Sequence, residues 1–305
     1  MTYAPHPFSL RQLQYIVAVA EELSFRRAAS RCNVSQPSLS AQLAQVEDAL
    51  GVQLFERTQK RVLITRVGQE LVQRARAVLR EADEIVSMAR RSSDPLSGTL
   101  RVGIIPTISP YLLPGVAPRL RSRLPRLHIA WREEKTDRLM SELSDGQIDA
   151  AVVALEANVG DVVKDVVATD PFFVVTLPEH PLAKKKAPLR EADLRDYDLL
   201  LLDDGHCFRD QALEACSYAS VRENEFRATS LTTLVQMVSG GAGITLIPAL
   251  AVPAEAKRAR LHARPLRSGS ACRTIALVWR KGTSAEPALR ALAAGLREAY
   301  PKAPV

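Results

Sequence analysis

Residues 24–50 constrain this chain more than any other stretch, because two short helices and a tight turn must fit into 27 residues. Ser24 opens a helix over residues 25–31, Asn33 and Val34 turn the chain, and Ser35 followed by Pro37 marks the start of the next helix. A capping hydroxyl with a proline in the first turn is the chemistry a helix N-terminus needs. Leu39, Leu43, Val46 and Leu50 then recur at spacings of four, three and four, which predicts one buried stripe. A preceding helix over residues 10–21 is expected to turn Leu13, Ile16, Val17 and Ala20 inward.

The other surface of that third helix is small and polar: Ser38, Ala41 and Gln45, flanked by Gln36, Ser40 and Gln42, with Pro37 in the first turn counted among the DNA-binding positions. Amides and hydroxyls can bond base edges in a major groove, and a small alanine lets the backbone come close. Glutamine and serine also solvate ordinary helices, and on this helix alone the two readings weigh the same. Residues 54–65 tip the balance, since Arg57, Lys60 and Arg61 fall on an expected β-hairpin wing placed to meet phosphates. Charge adds little. The whole chain carries +7, but residues 1–66 hold eight basic against five acidic side chains, a net of only +3.

The run SFRRAASRCNVSQPSLSAQLAQVEDALGVQLFERT, with Thr65 and Gly68 after it, resembles the winged helix-turn-helix of LysR-type transcriptional regulators over about 60 residues without a gap. The resemblance implies double-stranded promoter DNA as partner, with the helix from Gln36 reading the operator and the wing around Arg57 gripping the backbone. It also implies a homo-oligomer, commonly a tetramer, and contact with RNA polymerase. Self-association has independent support. Residues 68–90 lack proline, and Leu71, Ala75, Val78, Ala82, Ile85 and Ala89 alternate by four and three like a coiled-coil seam. A helix of roughly 34 Å by helical rise would bury that seam against a second chain, or against its own.

At 305 residues the chain is long enough for two or three compact units, and 47% hydrophobic with 25% charged residues is a globular composition. Residues 92–98 read as a turn-rich linker. Beyond them, apolar strand-like runs at 99–105, 127–131, 149–153, 172–177, 199–202, 243–247 and 273–279 alternate with helical ones, predicting an α/β fold with mainly parallel sheets. Hinge crossings near 165–170 and 267–272 would divide it into two lobes, one from 99–166 plus 273–305, the other from 167–272. The expected organisation is therefore a winged helix-turn-helix over 1–66, a linker and dimerisation helix over 67–91, and an effector domain over 92–305. The family resemblance implies the same two-lobed, periplasmic-binding-protein-like effector domain.

Ligands of open α/β sheets bind beyond the carboxyl ends of strands. Thr107, Thr136, and His206 with Cys207 each follow such a strand, and Arg273 joins them if its strand returns antiparallel. Cys207 and Cys216 lie nine positions apart. On one helix their Cα atoms would be about 13.5 Å apart, whereas a disulfide needs roughly 4.4–6.8 Å. Pairing them must unwind the segment between. His206, Arg209 and a first-turn position are expected to favour a Cys207 thiolate, opposed by Asp203, Asp204 and Asp210.

Free cysteines are commonly small buried hydrophobes, and spacing alone favours that reading. However, DDGHCFRDQALEAC and the later SLTTLVQMVSGGAGITLIP resemble the redox segment of peroxide-sensing members of the LysR family. That resemblance implies hydrogen peroxide as the signal, Cys207 as the peroxidatic residue whose sulfur attacks it, and Cys216 as the resolving residue. It further implies that Thr107, Thr136, His206, Arg209 and Arg273 position or polarise the peroxide. Cys32 is expected to pack in the DNA-binding core, and Cys272 is a possible rival for Cys207.

No CxxC, GxGxxG or P-loop is present, so no metal or cofactor is expected. Residues 241–254 are interrupted by Pro248 and Pro253, and no signal peptide is visible, so a cytoplasmic protein without a membrane segment is expected. Besides a peroxide-responsive activator of antioxidant genes, the sequence admits a metabolite-responsive regulator with incidental cysteines, and a thiol peroxidase. A DNA-reading segment argues against an enzyme.

Overall fold

The computed structural model describes residues 6–57, 62–91, 94–216, 222–267 and 271–301, in two compact units, Met1–Arg90 and Arg91–Val305.

In the first unit, α1 (Leu10–Glu22), α2 (Phe25–Arg31) and α3 (Gln36–Leu50) form a three-helix core. Each begins at a capping serine, at Ser24 and Ser35 as the sequence leads one to expect and at Ser9 in addition. Ser9 forms a reciprocal box with Gln12, Ser24 accepts from the Arg27 N–H, and Ser35 accepts from the Ser38 N–H. Leu39, Leu43 and Val46 are buried against Leu13, Ile16 and Val19, while Leu50 is half-buried. On α1 the inward face is centred slightly differently from expectation, with Tyr15 and Ala18 buried and Val17 and Ala20 only half-buried.

Strands β1 (Phe55–Arg57) and β2 (Val62–Ile64) pair antiparallel, with Phe55 opposite Ile64 and Arg57 opposite Val62, as a wing requires. Lys60, Arg61 and the Arg57 side chain lie outside the described residues.

Helix α4 (Arg66–Arg91) leaves the wing directly. Its start is fixed by Thr65, whose hydroxyl accepts from the Gly68 N–H and donates to the Gln53 carbonyl. A Cβ on Gly68 would stand 2.3 Å from the Leu54 carbonyl oxygen, so the helix touches the strand backbone there. The expected seam is divided. Leu71, Val72 and Ala75 pack on the unit's own core, while Val78 (44% exposed), Ile85 (71%) and Val86 (51%) are left to solvent. The Ala89 side chain lies outside the described residues.

The second unit has the strand order β4-β3-β5-β11-β6-β9-β7-β8, with β10 also on β6. Here β3 is Gly98–Ile104, β4 Leu127–Glu133, β5 Ala150–Ala154, β6 Val163–Thr176, β7 Asp198–Leu202, β8 Arg222–Ala228, β9 Ile244–Pro248, β10 His262–Pro265 and β11 Cys272–Trp279. Each half has a parallel part, β3 with β4 and β5, and β7 with β8 and β9, but β11 on β5 and β10 on β6 are antiparallel, so the sheet is mixed rather than mainly parallel as expected. The long strand β6 runs through both halves, pairing antiparallel with β11 from Val163 to Pro171 and then antiparallel with β9 from Phe172 to Val175.

The lobes have separate cores, one around Val102, Ile104, Val152, Leu277 and Leu292, the other around Phe172, Leu200, Leu234 and Leu246. Three pieces of this sheet have no counterpart in the expected strands: β8, the first half of β6, and the short β10 (HARP). Strand β8 is polar (RENEFRA), and the first half of β6 is charged, so neither carries an apolar run.

Overfilling a tight backbone contact costs about 1–3 kcal/mol. Gly68→Ala is therefore expected to lower the stability of the first unit by that amount, measured by urea denaturation, whereas Gly51→Ala meets no atom within 4 Å and is disfavoured only by its positive φ.

Candidate functional site

Where β6 and β11 cross between the lobes, Arg273 stands opposite Asp170 in register. Both are buried, and the guanidinium donates twice to Asp170 Oδ2, from Nε at 3.1 Å and Nη2 at 2.9 Å. Asp170 Oδ1 accepts from the Leu250 N–H at 3.0 Å. The other edge of the guanidinium reaches the first lobe, where Nη1 donates to Thr107 Oγ1 at 2.7 Å and Nη2 to the Thr107 carbonyl at 3.1 Å. Its face lies over the Phe208 ring, 5.5 Å from the centroid. Arginine is suited to this place because its planar fork serves two partners at once.

Phe208 belongs to α8 (Cys207–Ala215), which follows β7 through a turn containing Gly205 at φ +81°. Cys207 is the first residue of the helix and half-buried. Although α8 belongs to the second lobe, Cys207 packs against the core of the first, whereas Cys216, the C-cap residue, is buried in the core of the second. Both are free thiols. Facing Cys207 from the first lobe is Thr136, first residue of α6 (Thr136–Ser144). Thr136 is buried, and its hydroxyl makes no hydrogen bond of good geometry to any described residue.

Burial pushes the Cys207 thiol up, against the pull of the Thr136 hydroxyl, the Arg273 charge and the Phe208 N–H, and with Asp210 adding to the rise. This corrects the expected lowering, because desolvation outweighs the helix N-terminus. His206 is buried, and burial followed by the charge of Lys135 lowers its pKa against Asp203, so it is neutral at pH 7 and supplies no positive charge. Arg209 is also turned elsewhere, held by Asp204 at 2.9 Å and Glu223 at 3.2 Å. The cation that acts on the thiol is Arg273. Burial and the Glu191 charge push Cys216 up to about 12.

The structure thus links Thr107, Arg273, Cys207 and Thr136 at the boundary between the lobes, with the buried His206 next to Cys207 in the chain and Arg209 held apart by Asp204 and Glu223. Cys272 precedes Arg273 on β11, so strand alternation sends its side chain to the opposite face of the sheet. Asp170 was not singled out from the sequence, although a lone carboxylate in the strand ATDPFFVV is a legible sign of a buried partner. Lys135 carries no such sign.

In the first unit Gln36, Pro37, Ser38, Ala41 and Gln45 are exposed along α3, while Ser40 and Gln42 are half-buried. Gln42 is tied to α1 by a 3.1 Å bond from Gln12. Cys32 packs at the edge of this core. Among the described residues no cluster of metal-ligating side chains occurs, and no helix is long and apolar enough to cross a membrane.

Two predictions follow from the chemistry of the crevice. Breaking a buried ion pair from one side costs roughly 3–5 kcal/mol, so Arg273→Met should destabilise the effector unit by that much in urea, and adding Asp170→Leu should recover most of the loss. Because the folded Cys207 pKa is raised, its thiolate fraction should still be growing at pH 9. Alkylation by iodoacetamide is therefore expected to accelerate through that pH; a plateau near neutrality would contradict the buried-thiol electrostatics.

Residues 10–69 match the bacterial regulatory helix-turn-helix protein, lysR family, and residues 93–301 match the LysR substrate binding domain. The chain is 42% identical over 290 residues to the DNA-binding transcriptional dual regulator OxyR of Escherichia coli K12, covering 95% of each. A cysteine-to-aspartate variant of full-length OxyR from Pseudomonas aeruginosa superimposes with a TM-score of 0.78 at 36% identity, covering 96% of both chains. A hydrogen-peroxide-bound cysteine-to-serine variant of Corynebacterium glutamicum OxyR gives 0.64 at 36% identity, covering 98% of this chain and 94% of that one. With both of its parts matched and a relative this similar along nearly its whole length, the chain belongs to the LysR family of transcriptional regulators, alongside OxyR.

Proposed function

We propose that this protein is a DNA-binding regulator that senses hydrogen peroxide through Cys207 and activates antioxidant genes. The observation that carries the reading is the half-buried Cys207 sulfur facing an unpartnered, buried Thr136 hydroxyl, beside the Arg273–Thr107 clamp. The Thr107 oxygen accepts from Arg273, so its own O–H is available to donate to a peroxide oxygen. Thr136 supplies a second hydroxyl, and His206, buried and neutral, adjoins Cys207 without adding a charge that would hold an anion there. Arg209 acts at one remove, bracing the turn before α8 through Asp204.

The Cys207 sulfur attacks one peroxide oxygen, the O–O bond breaks, and the thiol proton ends on the departing oxygen, which leaves as water. Cys207 becomes a sulfenic acid. The Cys216 sulfur then displaces the sulfenic oxygen as a second water, forming the disulfide. In the reduced fold Cys216 is buried at the far end of α8, about 13.5 Å away along the axis. Resolution therefore waits on unwinding of α8, and that refolding carries the signal.

The exposed face of α3 reads the operator through Gln36, Ser38, Ala41 and Gln45, with Pro37, Ser40 and Gln42 shaping the helix and Arg57 of the wing meeting the backbone. The apolar end of α4 around Val78, Ile85 and Val86 pairs with a second copy, giving a dimer and then a tetramer that spans two half-sites and presents RNA polymerase with a redox-dependent surface. The protein acts in the cytoplasm. The units of function are the reading head 1–66, the helix 67–91 and the sensing domain 92–305.

The test is peroxide treatment with thiol mapping by mass spectrometry and operator footprints for wild type, Cys207→Ser and Cys216→Ser. Wild type should gain a 207–216 disulfide and a changed footprint, Cys216→Ser should stop at the sulfenic acid, and Cys207→Ser should do neither. A peroxide-dependent footprint that survives in Cys207→Ser would end the proposal.

A further inference from the structure

The crevice is assembled from two lobes: Thr107 and Thr136 come from the first, His206 and Cys207 from the second. Arg273 fixes Thr107 and Phe208 of α8, but none of its hydrogen bonds to described residues reaches the turn before α8 or the start of α6, where Cys207 meets Thr136. Lys135 lies at that seam. It is the N-cap residue of α6, immediately before Thr136, and its Nζ donates to the carbonyl of Asp204 across the lobe boundary at 3.0 Å. Asp204 sits three residues before Cys207, so this one bond ties together the two short segments that carry the facing groups.

The fit is close along the outer part of the side chain. A Cβ on Gly205 would find Lys135 Nζ at 3.4 Å, Cδ at 3.5 Å and Cε at 4.0 Å, so the lysine stem lies over the bare face of that glycine. The Asp204 side chain is occupied separately by Arg209, which leaves its carbonyl oxygen to the lysine. Lys135 is itself steadied, because its N–H donates to Glu134 Oε1 at 2.9 Å and its carbonyl accepts from Leu139 at 3.0 Å. A charged donor on a backbone carbonyl is a strong hydrogen bond, with the reach and direction to fix a turn.

We infer that Lys135 is a positioning residue for peroxide sensing, a cationic strap that draws the Asp204–Gly205 turn onto the first lobe and keeps Cys207 opposed to Thr136. It touches neither the sulfur nor the peroxide and acts through the alignment of the two half-sites. This inference rests on Cys207 being the peroxide target. If that reading fails, wild-type Cys207 is not oxidised at all, an outcome distinct from a change confined to a Lys135 variant.

The experiment uses the full-length protein with Cys216→Ser, so that oxidation stops at the sulfenic acid, and compares two rates at Cys207. Oxidation by hydrogen peroxide needs both half-sites aligned, whereas alkylation by iodoacetamide needs only an accessible sulfur. Lys135→Met keeps the apolar stem over Gly205 and removes the donor. It should slow peroxide oxidation by about tenfold or more while leaving alkylation as fast as before or faster, because a released turn uncovers the thiol. Lys135→Arg keeps a cationic donor and should stay within about threefold of the parent peroxide rate. The inference is overturned if Lys135→Met reacts with peroxide at the parent rate, if both rates fall by the same factor, or if Lys135→Arg is as slow as Lys135→Met.

Discussion

The Asp170–Arg273 ion pair holds the effector domain in the arrangement on which everything else in it depends. It sits at the one level where both lobe-joining strands pass, and neither side chain is open to solvent. Two charges withdrawn from water are tolerated only where their hydrogen-bonding capacity is filled. The Leu250 N–H, the Thr107 hydroxyl and carbonyl, and the Phe208 face supply that filling. Because those partners come from both lobes, satisfying one buried arginine also fixes Thr107, α8 and the strand crossing relative to one another.

The same arrangement explains why Cys207 is not an exposed, permanently ionised thiolate. Its sulfur is pressed into the first lobe, where loss of water dominates and the Arg273 charge compensates only in part. Under the proposed function, selectivity for peroxide then rests on donors that fit it rather than on general nucleophilicity. Cys216 is more deeply protected, with burial and Glu191 both favouring the neutral thiol. The two sulfurs are anchored in different cores at opposite ends of α8, so the bond between them is incompatible with the reduced packing of at least one.

Much of this was legible in the sequence, and what was missed follows a physical pattern. The three helices of the first unit were readable because serine caps, a first-turn proline and the Leu39–Leu43–Val46 stripe are local signals, and local signals decided those elements. The lobes were readable from apolar strands interrupted by two crossings. Strand β8 and the first half of β6 were not, since their residues are polar and their pairing is decided by neighbours distant in sequence. Cys207, Thr107 and Thr136 could be placed together because each follows a parallel strand. The direction of the Cys207 shift could not, as it depends on how much protein covers the sulfur and on where Arg209 and His206 turn, and Arg209 turns to Asp204 and Glu223. Asp170 and Lys135 act across the fold, which no nearby residue announces.

The two lobes are connected by strands hydrogen-bonded to each other from Cys272 through Trp279, with one register shift between Ile275 and Ala276. A paired ribbon resists swinging open, because its ladder of hydrogen bonds would have to break. Under the proposed refolding of α8, a movement that keeps this ladder, such as a twist of one lobe about the ribbon like the turning of a screw, costs less than one that parts the two strands like the opening of a jaw.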